Sequence, residues 1–216
     1  MKKLVIYDLD GTLVDTRLDI IRSVHHMLRE MGEPSLPDET IQRYVGRGLS
    51  ELIKRCLRTE DDARVAEGVR RYRAYYAHHY LDHSRLLPGT RTVLQQFRDR
   101  RQVVLTNKAS PFSQRLLEEL GVASYFAEII TGDGPYPNKP DPTSTRALIE
   151  RAGVTREQVL MVGDSEVDIQ TGRNAGVLTV IVAHGFVSRE ELESFKPDAL
   201  VGDFRALIAL AIQRAW

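Results

Sequence analysis

Leu4-Val5-Ile6-Tyr7-Asp8-Leu9-Asp10-Gly11-Thr12 is the stretch on which the fold turns. Leu4 to Tyr7 is a short apolar run with two β-branched residues. Such a run reads as a strand buried on both faces, as in a parallel sheet. It stops at Asp8, and Asp10 follows two positions later, so two carboxylates emerge where the strand ends. Ligands of open α/β sheets bind at the carboxyl ends of the strands. An Asp-Gly pair also suits a plain turn, but a turn requires neither Asp8 nor Thr12. A calcium-binding EF-hand loop starting at Asp8 would need glycine at its sixth position and glutamate at its twelfth. Leu13 and Asp19 stand there, which removes that reading.

The same apolar texture returns at Val103 to Leu105, Val159 to Val162 and Leu178 to Val182. Amphipathic helical patterns lie between, at Val93 to Phe97, Phe112 to Leu120, Ala147 to Ala152 and Ile169 to Ala175. Ser110 before Pro111, and Asp141 before Pro142, each read as a capping side chain ahead of a first-turn proline. Alternating strands and helices predict an α/β fold, a Rossmann-like three-layer core with a parallel sheet. From about Thr16 to His83 the rhythm breaks, with no convincing strand. Ile20, Ile21, Val24, Met27, Leu28 and Met31 make one helical stripe, closed by Gly32 and Pro34. Further helices are expected over Pro37 to Val45, Ser50 to Leu57 and Asp61 to Tyr80. The chain is therefore divided into a core (1–15 and 84–216) and an inserted all-helical cap (16–83). Tyr72, Tyr75, Tyr76 and Tyr80 have helical spacing and are expected to pack within that cap.

Composition narrows the function. Thirty Lys plus Arg balance thirty Asp plus Glu in 216 residues, so the formal charge is zero. Nucleic-acid binders and anionic-membrane binders usually carry a basic excess, and neither partner is expected here. Cys56 is the only cysteine, which excludes an internal disulfide and favours a cytoplasmic setting. It lies in an amphipathic pattern and reads as a buried apolar residue. No apolar stretch approaches the roughly 20 residues of a membrane span.

The remaining strand ends carry more chemistry. Val103 to Leu105 leads into Thr106-Asn107-Lys108, where a hydroxyl and backbone amides make an anion-binding corner. Lys139-Pro140 follows the Gly- and Pro-rich loop Gly132 to Asn138. Val159 to Val162 leads into Gly163-Asp164, and Asp168 stands one helical turn further on. Two carboxylates about 4 Å apart repel by roughly 4 kcal/mol at an effective dielectric near 20. A cluster of Asp8, Asp164 and Asp168 therefore calls for a hard cation, and Mg²⁺ suits oxygen ligands plus a phosphate.

Asp8-Leu9-Asp10-Gly11-Thr12, Thr106-Asn107, Lys139-Pro140 and Gly163-Asp164 through Asp168 resemble, in order and spacing, the four motifs of the haloacid dehalogenase superfamily. The resemblance covers essentially the whole chain and is greatest to phosphoglycolate phosphatases. It implies that Asp8 is the nucleophile and Asp10 the general acid and base. Thr106, Asn107 and Gly11 would bind the phosphoryl group, and Lys139 would offset its charge. Asp8, Asp10 through its carbonyl, Asp164 and Asp168 would hold Mg²⁺, the last directly or through water. The loop Gly46-Arg47-Gly48 resembles the cap loop of those phosphatases, and Arg47 is expected to pair with a substrate carboxylate. The expected partner is a small phosphorylated metabolite, first 2-phosphoglycolate, with the protein a monomer or homodimer. Other readings on the same core are a nucleotidase, a pyrophosphatase, a β-phosphoglucomutase-like mutase or a non-catalytic phosphometabolite binder. His25-His26 and His78-His79 with His83 read as solvated or half-buried helix residues rather than a metal site.

Overall fold

The computed structural model describes residues 1–216. Its first half comprises β1 (Leu4–Tyr7), β2 (Val14–Asp15), α1 (Arg17–Glu30), α2 (Asp38–Tyr44), α3 (Leu49–Leu57), α4 (Asp62–His79) and β3 (Arg85–Leu86). There follow α5 (Thr90–Gln96), β4 (Arg101–Leu105), α6 (Phe112–Glu119), β5 (Glu128–Ile130), α7 (Thr143–Ala152) and β6 (Val159–Gly163). The chain ends with α8 (Glu166–Ala175), β7 (Leu178–Val182), α9 (Arg189–Ser194), β8 (Ala199–Val201) and α10 (Phe204–Gln213).

Six strands form one parallel sheet in the order β5-β4-β1-β6-β7-β8. All four residues of β1 are buried because alternate side chains feed two apolar layers. Val5 and Tyr7 share one cluster with Val93 and Phe97 of α5 or its end, Leu116 of α6 and Leu207 of α10. Leu4 and Ile6 pack on the other face with Leu148 of α7 and Ala175 of α8. Each such side chain removed from water contributes about 1.5–3 kcal/mol. Helices on both faces of a parallel sheet give the three-layer α/β core read from the sequence. β4 and β6 flank β1 on opposite sides, so the chain reverses its direction of travel across the sheet beside β1. That is where such sheets open a crevice.

All four helices of the insertion share their own apolar cluster, from Ile20 to Tyr76, joined by Phe112 from α6. Tyr72 and Tyr76 are buried within it. The neck between insertion and core is the antiparallel pair β2–β3, with Val14 opposite Leu86 and Asp15 opposite Arg85. Asp19 in α1 fastens this neck: its buried carboxylate accepts bonds from the backbone N–H groups of His83 and Ser84 and from Ser84 Oγ (2.7 Å). Cys56 is buried, and burial pushes its thiol up to about 12. No helix is long and apolar enough to cross a membrane.

Two expectations about helix starts are corrected. α6 begins at Phe112 and α7 at Thr143, so Pro111 and Pro142 occupy the cap position themselves and neither helix has a side-chain cap. Ser110 falls outside the helix and gives its N–H to Asp133 Oδ1 instead (2.9 Å). Asp141 Oδ1 accepts from Thr143 N–H (2.8 Å), a local turn ahead of α7.

Candidate active site

Parallel register gathers the site. Asp8 N–H donates to the Val162 carbonyl (2.9 Å), so the end of β1 lies beside the end of β6 and its Asp164. Thr106 stands at the end of β4 on the other side of β1. Asp164 Oδ1 accepts from Thr12 Oγ1 (2.7 Å) and Oδ2 from Phe186 N–H (3.1 Å). Gly11, with φ of 85°, leaves room for this: a Cβ there would overlap Asp164 Oδ2, and so would one on Gly185. Glycine is thus required where two backbones close over one carboxylate.

Lys139 is the counter-charge. Its Nζ, on a side chain 2% exposed, meets Asp8 Oδ1 at 2.8 Å and Asp168 Oδ1 at 2.7 Å. Asn107 places it: Asn107 Oδ1 accepts from Lys139 N–H (2.8 Å), while Asn107 Nδ2 donates to the carbonyls of Lys139 and Gly46 (both 2.9 Å). The amide therefore ties the lysine loop to the cap loop. Asp168 is equally committed. Its Oδ2 accepts from the N–H groups of Asp164 and Ser165 (both 3.2 Å) and from Ser165 Oγ (2.6 Å), closing a capping box at the start of α8.

Asp8, Asp164 and Asp168 bring carboxylate oxygens within 4.8 Å of one another, all buried. One lysine cannot balance three carboxylates there. Burial lifts the Asp8 carboxyl to about 7, with Asp168 and Asp10 adding to the rise and Lys139 opposing it. Burial, then Asp168 and Asp8, push Asp164 well above its ordinary range. Burial would lower Lys139, but Asp168 and Asp8 outweigh it and hold the ammonium firmly charged. Asp8 Oδ2 has no protein donor, and the Asp164 oxygens accept only from uncharged groups. Hard oxygen donors with surplus negative charge fit a small dication.

Asp10 is held differently. Its Oδ1 accepts from Thr16 Oγ1 (2.7 Å) and lies 3.0 Å from Lys108 Nζ, which also reaches Oδ2 at 3.3 Å. Lys108 sits over the Tyr76 ring, 4.8 Å from its centroid. Thr106 Oγ1 accepts from Lys108 N–H (3.1 Å), which leaves the hydroxyl proton for a ligand. Two chambers open on Asp8 and Asp10. One, of about 70 Å³, is walled by Thr106, Asn107 and Lys108 below and by Leu49, Leu52, Tyr72, Arg73, Tyr76 and Phe112. The other, of about 100 Å³, lies on the Asp164 and Ser165 side beneath Gln42, Arg43 and Phe186.

Comparison with known proteins gives the family. The family model for haloacid dehalogenase-like hydrolases matches residues 5–182. The chain belongs to that family. A phosphoglycolate phosphatase from Thiobacillus denitrificans is 35% identical over 220 residues, covering 99% of this chain and 96% of its own. Another, from Pseudomonas putida, is 32% identical over 216 residues, covering 96% and 79%. Among solved structures, one described as a predicted phosphoglycolate phosphatase from Haemophilus somnus 129PT superposes with a TM-score of 0.91 at 26% identity. It covers 97% of this chain and 98% of its own. The protein is a phosphatase of the haloacid dehalogenase-like hydrolases.

Within this phosphatase, Asp8, Asp10, Gly11, Thr106, Asn107, Lys139, Asp164 and Asp168 converge as the sequence led one to expect. Arg47 does not join them. Its guanidinium pairs with Glu166 across the cap–core seam (3.2 Å), while its neighbours Gly46 and Gly48 line the smaller chamber. Gln42 Nε2 donates to the Phe186 carbonyl (2.5 Å) on the same seam, so cap and core are closed on each other. The histidines stay on the cap surface: His25 meets Asp38, and His26 and His79 stack on Tyr75. Sequence reasoning passed over three residues of the site. Lys108 directly follows Thr106-Asn107 at a strand end, a place that could have marked it. Arg73 and Tyr76 sit in a long helix among many Arg and Tyr residues, and only packing reveals which face the chamber.

Proposed function

We propose that this phosphatase hydrolyses 2-phosphoglycolate to glycolate and phosphate, with Mg²⁺, through a phosphoryl group carried on Asp8. The observation that carries the reading is the state of Asp8: one oxygen is fixed by Lys139, the other has no donor from the chain, and the residue lines both chambers. Asp8 Oδ2 attacks phosphorus in line, the bond to the leaving oxygen breaks, and Asp10 gives that oxygen its proton. Water then attacks phosphorus, Asp10 takes the proton, and the bond to Asp8 breaks, returning the carboxylate. The Thr106 hydroxyl and Lys139 hold the phosphoryl oxygens as charge moves onto them. Asp168 keeps Lys139 aimed at Asp8 and thereby positions it.

Asp8 and Asp164, with the Asp10 main-chain carbonyl, would hold Mg²⁺, and Asp168 would support them from behind. Bound there, Mg²⁺ supplies positive charge against the phosphoryl oxygens and relieves the repulsion among the carboxylates. The names of the relatives support the substrate. Turnover of 2-phosphoglycolate, glucose 1-phosphate, a nucleoside monophosphate and pyrophosphate, with Mg²⁺ and with EDTA, tests this. The highest kcat/KM belongs to 2-phosphoglycolate and vanishes in EDTA. A preference for any of the others, or full turnover in EDTA, contradicts it.

A further inference from the structure

One cation lining the smaller chamber is held by no direct ion pair. Lys108 is spent on Asp10, Lys139 on Asp8 and Asp168, and Arg47 on Glu166. Arg73, an exposed residue of α4 whose side chain lines the chamber, makes no ion pair and no hydrogen bond within the chain. Asp133 lies within electrostatic range of it. That carboxylate is already held by Ser110 N–H (2.9 Å) and Thr131 Oγ1 (2.8 Å). The chamber's lining also includes the apolar Leu49, Leu52 and Phe112. One turn along α4, Tyr76 also lines the chamber, is 1% exposed, and its hydroxyl has no partner. A buried hydroxyl without a partner has lost its water and gained nothing in return, a penalty that a ligand can remove.

We propose that Arg73 and the Tyr76 hydroxyl receive the carboxylate of the substrate, and so decide that this phosphatase takes phosphate esters bearing an acid. This deepens the proposed function and rests on its assignment of the phosphoryl site to Asp8 and Thr106. A guanidinium offers paired donors matched to a carboxylate, and a phenol adds a third. Burial, together with Asp10 and Asp19, raises Tyr76 well above its ordinary range, so the hydroxyl stays a donor. Arg47, the residue that the cap-loop resemblance marked for this task, closes the seam instead.

The test compares matched esters: 2-phosphoglycolate with ethyl phosphate, and 2-phospholactate with isopropyl phosphate. The readout is the ratio of kcat/KM, acid over neutral, in wild type and in the Arg73→Gln, Arg73→Lys and Tyr76→Phe variants. Thermal unfolding of each variant confirms that it folds. Both wild-type ratios are expected well above one. Arg73→Gln lowers them by about 10- to 100-fold. Arg73→Lys loses less, and Tyr76→Phe loses about 3- to 10-fold. Ratios unchanged in Arg73→Gln overturn the role of Arg73 while leaving the proposed function intact. A wild type that discriminates only in the phospholactate pair, with that ratio lost in Arg73→Gln, supports Arg73 but contradicts 2-phosphoglycolate as substrate. A wild type with both ratios at or below one overturns both.

Discussion

Replacing Lys139 by Met removes the one ammonium set between Asp8 and Asp168 and keeps most of the side chain's volume. Contacts of 2.8 and 2.7 Å each correspond to roughly 6 kcal/mol of attraction at an effective dielectric near 20, before the cost of burying the charges. Much of that is cancelled by desolvation, and breaking one side of a buried pair costs about 3–5 kcal/mol net. In a chain of this length a kilocalorie moves the unfolding midpoint by about 2–4 °C. Metal-free Lys139→Met should therefore unfold about 6–20 °C below wild type in EDTA at neutral pH. Turnover should fall by at least about 10²-fold, because Asp8 loses the charge that favours its ionised form and the phosphoryl group loses a donor. Adding Asp168→Asn removes one of the stranded carboxylates. The amide oxygen of the new side chain can still accept the bonds of the α8 cap, so the double variant should recover much of the lost midpoint and none of the turnover. Calorimetry and steady-state assays on the two variants measure both quantities. A Lys139→Met midpoint within about 2 °C of wild type, or a double variant no more stable than the single, would refute the charge argument.

Asp8 and Asp164 are both raised in the folded state, so between about pH 4 and pH 7 the fold binds more protons than the unfolded chain. Their contribution to metal-free stability falls as pH rises through that window, and Mg²⁺ should flatten the fall. Asp164→Asn should lessen the slope and abolish stabilisation by Mg²⁺ in thermal unfolding; an unchanged Mg²⁺ response contradicts the metal assignment. Lys108→Met frees Asp10 from its clamp and should lower kcat by about 10- to 100-fold while leaving the Mg²⁺ effect on unfolding in place. Arg47→Ala breaks a half-exposed pair across the seam and should raise KM by up to about fivefold, equally for acidic and neutral esters. A loss confined to acidic esters would return Arg47 to the substrate.

How much of this was legible in the sequence follows from what each residue depends on. Asp8, Thr106 and Asp164 were legible because a buried parallel strand announces its own end, and the sheet brings those ends together. The insertion was legible because 16–83 has only helical periodicity. The edge strands β5 and β8 were not, since Glu128–Ile130 and Ala199–Val201 are short and half-exposed and their pairing depends on β4 and β7. Ser110 and Asp141 misled because a proline can hold the cap position as well as the first turn. Arg47 and Arg73 show the limit most directly. Both are cap arginines, and only the closed packing of cap on core places one against Glu166 and the other against the chamber.

In the proposed mechanism Asp8 is the group that carries phosphate. Rapid acid quench of the enzyme with 2-phosphoglycolate and Mg²⁺, followed by peptide mass spectrometry, tests it most directly. The mass of one phosphoryl group on the peptide containing Asp8, absent from Asp8→Asn and from the EDTA control, is the predicted result. Phosphate on another residue, or turnover retained in Asp8→Asn, would contradict it.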